Sequence, residues 1–254
     1  MTGLIYKDAI CLRKNLKMFI GVGFGVVALA VMFALSCKMG NISEGLKTYN
    51  AEDSMDKEML IGVINMTMHV VLFIPMAFMG NIIDCFKEDR KAGFSNSLFS
   101  MPLNYTEIVG ARYVSMMIYF VMGFIFSLIT AIGVSMSSDR VKFDEMLSTT
   151  LFFAGIMTVY MGIVIPCVYA FGSAKSDLIC AAPFGAVLIG AIAYVSINED
   201  KIPEDETGLL KILNDFMDLL TKKGYVVIAA AMVVLIASYF ISVLIIKKKK
   251  GCGI

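Results

Sequence analysis

Ionisable chemistry is scarce in this sequence. Charged residues make up 17% of its 254 residues, and it contains one histidine. A single histidine excludes a metal site built from several histidines, and with it an intramembrane metalloprotease of that type. The sequence also lacks the Gly-x-x-x-x-Gly-Lys-Ser/Thr loop that holds ATP phosphates and the Gly-x-Ser-x-Gly turn of serine hydrolases. We therefore expect no enzyme activity, no cofactor and no metal on this chain.

Fixed charges are also missing from the long apolar stretches. These contain no Asp, Glu, Lys or Arg, and His69 is the one histidine among them. Carriers driven by protons or sodium ions usually place charged side chains at the membrane midplane for ion coupling. The six cysteines include no Cys-x-x-Cys pair and predict no disulfide framework. If the protein moves a cargo uphill, its energy source is expected on another chain.

The sequence is rich in long apolar runs. Its residues are 58% hydrophobic and its mean hydropathy is +0.79, whereas a soluble domain carries about 25% charged residues. A helix crosses the hydrocarbon core with roughly 20 apolar residues, and all backbone groups must be satisfied internally there. We therefore predict an all-α polytopic membrane protein with six transmembrane helices. The predicted spans are 18–37, 59–83, 114–136, 147–171, 178–197 and 225–246.

The distribution of Lys and Arg predicts the orientation of these spans, because basic residues concentrate on the cytoplasmic side. With a cytoplasmic N-terminus, the inner segments hold thirteen basic and six acidic residues, and the outer segments hold nine basic and fifteen acidic residues. Both termini are therefore predicted to be cytoplasmic. The predicted location is therefore the cell membrane, and the basic ending Lys247 to Lys250 is expected to contact anionic lipid.

Two segments outside the spans have helical amphipathic patterns. Residues 4–17 predict a helix lying in the inner membrane interface, although they could also act only as a basic anchor that sets topology. Its apolar face is Ile5, Ala9, Leu12 and Leu16, and its basic face is Lys7, Arg13, Lys14 and Lys17. The outer segment 198–224 begins acidic and then predicts a short helix that either lies on lipid or covers a translocation path.

The second predicted span contains the polar pair Asn65 and His69, which are four residues apart and so share a helix face. Intramembrane ionisable groups are candidates for function, so Asn65 and His69 are candidate residues of the transport pathway. A neutral histidine satisfied by a neighbouring helix is the alternative. Pro75 in this span and Pro166 in the fourth each remove a backbone hydrogen bond, so local bends are expected at both.

A polar segment of thirty residues, 84–113, separates the second and third spans. It reads Phe86-Lys-Glu-Asp-Arg-Lys-Ala-Gly93, then Leu98-Phe-Ser-Met-Pro102, then Tyr105-Thr-Glu-Ile-Val-Gly-Ala-Arg112-Tyr113. Together with the opening Leu4-Ile-Tyr-Lys-Asp-Ala-Ile-Cys-Leu-Arg-Lys14, it resembles the type-2 permeases of ATP-binding-cassette transporters. Small bacterial permeases that export phenol-soluble modulins and other antimicrobial peptides belong to the group that it resembles.

The resemblance implies a type-2 exporter permease fold, similar to type V, in a half-transporter. Two permease chains, identical or related, would form the pathway, and two separate cytoplasmic ATPase subunits would hold ATP and Mg²⁺. The segment after the second span would contain a coupling helix that docks into the ATPase and ends before a proline. The implied docking residues are Phe86, Glu88, Asp89, Arg90, Lys91, Phe94, Leu98, Phe99 and Pro102. The alternative is a solvated loop whose charges serve only topology.

The function expected from these observations is ATP-dependent export of a peptide or another amphipathic substrate, with hydrolysis on the partner chain. Spans without fixed charges suit an amphipathic cargo better than an ion. A non-transporting scaffold or regulatory subunit is the second hypothesis, and an ion channel gated near His69 is the third. The expected partners are the ATPase, a second permease chain, the cargo and membrane lipid, with no nucleic acid.

Overall fold

The computed structural model describes residues 2–11, 13–38, 54–94, 104–137, 142–197, 215 and 217–251. These residues contain no β-strand, and the prediction of an all-α fold is confirmed. The α-helices in chain order are α1 Thr2–Cys11, α2 Arg13–Lys38, α3 Ser54–Val70, α4 Phe73–Ala77, α5 Ile82–Lys91, α6 Tyr105–Ser137, α7 Phe143–Phe171, α8 Ser176–Ile197 and α9 Gly224–Gly251. Short 3₁₀ turns occupy Phe78–Asn81 and Ser173–Lys175.

Five stretches of the described chain are helical, long and apolar enough to cross a membrane, so this is a multi-pass membrane protein. They are Asn15–Ser36, Gly62–Lys91, Tyr105–Met136, Phe143–Phe171 and Gly224–Lys248. The remaining predicted span, 178–197, forms most of α8, whose 22 residues give a length of about 33 Å. The count of six spans and the cytoplasmic position of both termini stay predictions.

Two predicted segments outside the spans are described in part. Of the predicted helix 4–17, Leu12 lies outside the described residues, and Arg13 to Lys17 form the start of α2, which continues into the first span. Of the outer segment 198–224, residue 215 and residues 217–224 are described, and 217–222 are helical. Leu220 there is fully buried and belongs to the hydrophobic core of the bundle.

Helices α7 and α9 pack closely along their length through small residues. A Cβ atom added to Gly155 would lie 2.7 Å from Val227, and one added to Gly162 would lie 3.2 Å from Val234. At the start of α9 a Cβ on Gly224 would lie 1.8 Å from the carbonyl oxygen of Ser148. Lipid gives helices no hydrophobic reason to associate, so contact between backbones at small residues is what holds such a pair together.

The second span is interrupted, as expected near Pro75. Helix α3 ends at Val70 and α4 begins at Phe73. Since Pro75 has no N–H, the usual bond to the carbonyl of Val71 is missing, and the N–H of Ile74 donates to that carbonyl at 3.2 Å. The hydroxyl of Ser127 on α6 donates to the carbonyl of Leu72 at 3.1 Å. Helix α6 therefore stabilises the interruption.

Close packing of α6 against the same interruption depends on Gly123, because an added Cβ there would lie 2.7 Å from the carbonyl oxygen of Pro75. The second predicted bend, at Pro166, does not interrupt its helix. Helix α7 continues from Phe143 through Pro166 to Phe171. A proline within a buried transmembrane helix is tolerated where neighbouring helices and local adjustments satisfy the freed carbonyl.

Candidate functional site

Residues 84–94 and 104–113 of the predicted coupling segment are described, and they contain most of helix α5 and the first turns of α6. Asp84 lies in the first turn of α5 and Arg90 and Lys91 lie in its last turn, which places each sign of charge at the helix end where the helix dipole favours it. The helix ends where Gly93 adopts a φ of 66°, a left-handed conformation that glycine adopts without a side-chain clash. The N–H of Ala92 donates to the carbonyl of Glu88 at 2.9 Å, which closes the last turn.

The two faces of α5 have different surroundings. Phe86 and Asp89 are buried within this chain, whereas Glu88, Arg90 and Lys91 are exposed. The expectation that all five face a partner is therefore corrected for Phe86 and Asp89. Both are turned inward because Asp89 finds two cations of its own chain there, and because Phe86 packs edge-on against Tyr169 with ring centroids 5.2 Å apart.

Four charged side chains from three helices meet on the buried side of α5. We call this group the charge junction, and its members are Lys7, Asp8, Asp89 and Arg112. The Nζ of Lys7 lies 2.5 Å from Oδ1 of Asp89 and 3.4 Å from Oδ1 of Asp8. Nη1 of Arg112 lies 2.9 Å from Oδ1 of Asp8, and its Nη2 donates to Oδ2 of Asp89. Each acid therefore contacts both bases, and the junction has no net charge.

Burial makes the charge junction sensitive to the loss of any member. Asp8 is 2% exposed, Asp89 7% and Arg112 6%. Taking charges out of water is costly, and the removal of one partner leaves a buried charge uncompensated, with a cost of about 3–5 kcal/mol. Further partners surround it, because Ser115 donates to Oδ2 of Asp8 at 3.1 Å and the guanidinium carbon of Arg112 lies 4.5 Å from the ring centroid of Phe86.

Helix α5 has polar contacts with two further elements. The side-chain amide of Asn15 on α2 donates to Oδ2 of Asp84 at 2.9 Å. Lys87 lies 2.6 Å from the carboxylate of Asp177 at the start of α8, and 3.3 Å from that of Asp84. Through these contacts and the charge junction, α5 is bonded to α1, α2, α6 and α8.

The outward edge of α5 is the surface available to a partner. Glu88 and Lys91 form an exposed pair at 2.7 Å, and Arg90 is exposed beside them. Exposed pairs of this kind contribute little to stability, so these charges remain available for contacts with another protein. Phe94 follows the helix, half-buried, with Nζ of Lys7 4.2 Å from its ring centroid. The other predicted docking residues, Leu98, Phe99 and Pro102, lie outside the described residues.

Helix α1 presents its residues differently from the predicted pattern. Lys7, expected on an outward basic face, turns inward to the charge junction, and Tyr6 and Ile10 are exposed. An inward charge with outward apolar residues is the arrangement that membrane-embedded helices adopt. The remaining predicted residues divide as follows: Arg13 is exposed, Ile5 and Leu16 are half-buried, and Leu12 and the Lys14 side chain are outside the described part.

The polar pair in the second span lies in the interior. His69 is 1% exposed, and its Nδ1 lies 2.8 Å from the backbone oxygen of Asn65, so Nδ1 is the donor in this bond. Within the described residues, neither Nε2 of His69 nor Oδ1 of Asn65 has a hydrogen-bond partner. The bond that His69 makes is therefore to its own helix, and two buried acceptors remain for a donor group.

Sequence reasoning missed Asp8 and Arg112 as members of a site. Both were visible only as charges near predicted span ends, and the contacts between helices that unite the charge junction join residues 23 to 104 positions apart. A signal was present in the isolated acid of α1, since a carboxylate in an otherwise basic and apolar segment needs a counter-charge when buried. Its partner could not be read from spacing.

The described residues contain no group of three or more His, Cys, Asp or Glu side chains that could hold a metal ion. A protein-family model described as "ABC-2 family transporter protein" matches residues 58–247, which is 190 of the 254 residues. No curated protein and no solved structure matches the chain. The matched range contains α5, Arg112 and His69 but not α1, so Lys7 and Asp8 of the charge junction lie outside it.

Proposed function

Because the chain belongs to the ABC-2 family of transporter proteins, and is thus a membrane permease subunit of an ATP-binding-cassette transporter, we propose that it exports a peptide or another amphipathic cargo. The energy comes from ATP hydrolysis on a separate cytoplasmic ATPase that holds ATP and Mg²⁺. A second permease chain, identical or related, completes the pathway. The membrane is the bacterial plasma membrane, with α1 and α5 on its cytoplasmic side.

The observation that carries the coupling part of this proposal is the two-sided construction of α5. One side is fixed to the bundle by the buried Asp89, with further contacts from Asp84 and Lys87, and the other side exposes Glu88, Arg90 and Lys91. A helix that is anchored on one side and charged on the other can receive a force from a partner and pass it to the spans. Complementary charges at such a surface give a partner specificity and orientation.

The nature of the spans supports an amphipathic cargo. Apart from Asp89 and Arg112 of the charge junction, the buried polar side chains of the described spans are mostly hydroxyls, such as Ser127, Thr130, Thr150 and Thr158, with His69. An ion would need fixed counter-charges or carbonyl rings along its path. Apolar walls with occasional hydroxyl and imidazole acceptors suit the apolar and N–H groups of a peptide.

Reconstitution with a candidate P-loop ATPase tests the proposal. We expect the pair to co-purify, and ATP hydrolysis to rise when the permease is present in liposomes with cargo. Replacing the exposed charges, as in Glu88→Ala and Arg90→Ala, should weaken association or stimulated hydrolysis about tenfold, since each removes one contact with the partner. Asp218→Asn, in the exposed pair with Lys222 near the other end of the bundle, is the matched control.

The two competing functions give different results in the same liposomes. A scaffold or regulatory subunit would bind the ATPase without cargo-stimulated hydrolysis or cargo movement. A channel would pass ionic current without nucleotide, and His69→Ala would alter that current. If the α5 variants bind and stimulate the ATPase as well as the parent protein does, α5 is not the coupling surface.

A further inference from the structure

The charge junction fixes three helices to one another at the point where a partner would act. We infer that α1, α5 and the first turns of α6 move as one rigid body during the transport cycle, and that Asp8 and Arg112 are positioning residues that hold this body together. The inference rests on the proposed coupling to an ATPase. It adds that the force received by α5 is delivered to α1 and α6 at the same moment.

The connectivity of the charge junction is the first support. Lys7 and Asp8 belong to α1, Asp89 to α5 and Arg112 to α6, and every acid contacts every base. A relative movement of any two of these helices therefore breaks at least one ion pair. Arg112 is central because its two nitrogens bind two different helices, which a planar guanidinium can do and an ammonium group cannot do in the same fixed geometry.

The burial of the charge junction is the second support. Ion pairs on a surface exchange easily for water, so helices joined only by such pairs can slide. Asp8, Asp89 and Arg112 are more than nine-tenths buried. If α1 slid past α5, the separated carboxylates and cations would be left in an interior without counter-charges. The three helices are therefore expected to keep their contacts while the whole group tilts or shifts.

The interruption of the second span marks where this rigid body ends. Helix α5 continues from α4 through the 3₁₀ turn at Phe78–Asn81, but α4 is separated from α3 by the turn at residues 71 and 72. Helix α4 also stays with α6 through the close approach of Gly123 to Pro75, and Ser127 of α6 donates to the carbonyl of Leu72 immediately before α4. Movement of α5 therefore passes sideways into α6, and α3, which carries Asn65 and His69, can change its angle at the interruption.

Spin-label distances test this arrangement directly. Labels are placed at Tyr6 on α1 and Ala92 after α5, which are both exposed and lie outside the charge junction, with the native cysteines replaced by alanine. With the ATPase bound, we expect the distance between these labels to be the same without nucleotide and with ATP trapped. A matched pair at Val63 on α3 and Ala92 should change its distance between the two states.

The substitution Arg112→Lys allows a second test that does not need an ATPase. This substitution keeps the charge but not the forked contact with both carboxylates, so we expect the Tyr6 to Ala92 distance distribution to broaden in the permease alone. Ser115→Ala, which removes one hydrogen bond to Asp8, is the milder second variant should Arg112→Lys fail to fold. In the assembled transporter, cargo moved per ATP hydrolysed should fall about tenfold, while association with the ATPase is retained.

The outcomes separate the inference from the proposed function. If the Tyr6 to Ala92 distance changes on ATP trapping, or stays sharp in both variants, the rigid body is refuted whatever the protein transports. If neither label pair responds to ATP but the variants broaden the first distance, the charge junction holds the helices as inferred and the proposed coupling to ATP is refuted. A variant that lowers only the amount of folded protein, with an unchanged ratio of cargo to ATP, reduces Arg112 to a stabilising role.

Discussion

Helices α7 and α9 pack through Gly155, Gly162 and Gly224, whereas α5 is held to its neighbours by Asp84, Lys87 and Asp89. The first contact is apolar, and it depends on backbones approaching within the space that a side chain would fill. The second depends on charges that need their partners. Apolar packing of this kind tolerates no added atom, while a charged contact tolerates atoms of similar size but no change of net charge.

Breaking the charged contact is expected to have the largest effect. Asp8→Asn keeps the size of the side chain but leaves the charge junction with an uncompensated buried positive charge, which costs about 3–5 kcal/mol of unfolding free energy. Thermal unfolding in detergent measures it. Lys7→Met combined with Asp8→Asn restores zero net charge and should recover most of the loss. If the double variant is as unstable as the single one, the charge balance is not what stabilises this region.

The second-largest effect is expected from adding an atom to the apolar contact between α7 and α9. Gly224→Ala adds a Cβ that would lie 1.8 Å from the carbonyl oxygen of Ser148, so the start of α9 must move away from α7, at a cost of about 1–3 kcal/mol. Gly185→Ala is the matched control, because nothing lies within 4 Å of its added Cβ in helix α8. Equal melting temperatures for the two variants would contradict the close packing of α7 and α9.

The interruption of the second span combines both kinds of contact. Ser127→Ala removes the donor to the carbonyl of Leu72 and should lower stability by about 1 kcal/mol, as for other hydrogen bonds between membrane helices. Hydrogen exchange at the amides of α4 should rise with it, because the interruption loses its support from α6. Unchanged exchange there would mean that the turn at residues 71 and 72 does not depend on α6.

The smallest effect is expected where a charged pair faces solvent. Asp218→Asn breaks the ion pair with Lys222. In this pair Nζ of Lys222 lies 2.6 Å from Oδ2 of Asp218, and both side chains are mostly exposed. Pairs four residues apart on a helix surface contribute about 0.3–0.5 kcal/mol. Thermal unfolding should therefore change little, and only at low salt. A loss as large as that of Asp8→Asn would show that burial is not the factor that separates the two sites.

The helices could be predicted well from the sequence, because a membrane demands long apolar runs and leaves few alternatives to a helix. The bend near Pro75 followed from local chemistry, because proline lacks an N–H. A helix after the second span was implied by the family resemblance, but the structure starts α5 earlier, at Ile82. The inward turn of Lys7 and Asp89 did not follow from local chemistry, since it depends on Arg112 of another helix. Residue spacing describes which face a side chain shares with its neighbours, but the counter-charge that decides whether that face is buried lies elsewhere in the chain.

The neutrality of the charge junction has an electrical consequence. Moving one elementary charge across a membrane potential of 100 mV involves about 2.3 kcal/mol of work. Lys7 and Arg112 are balanced by Asp8 and Asp89, so a displacement of these four residues as a group carries no net charge through the field. Their movement is therefore expected to be the same in energised and de-energised membranes.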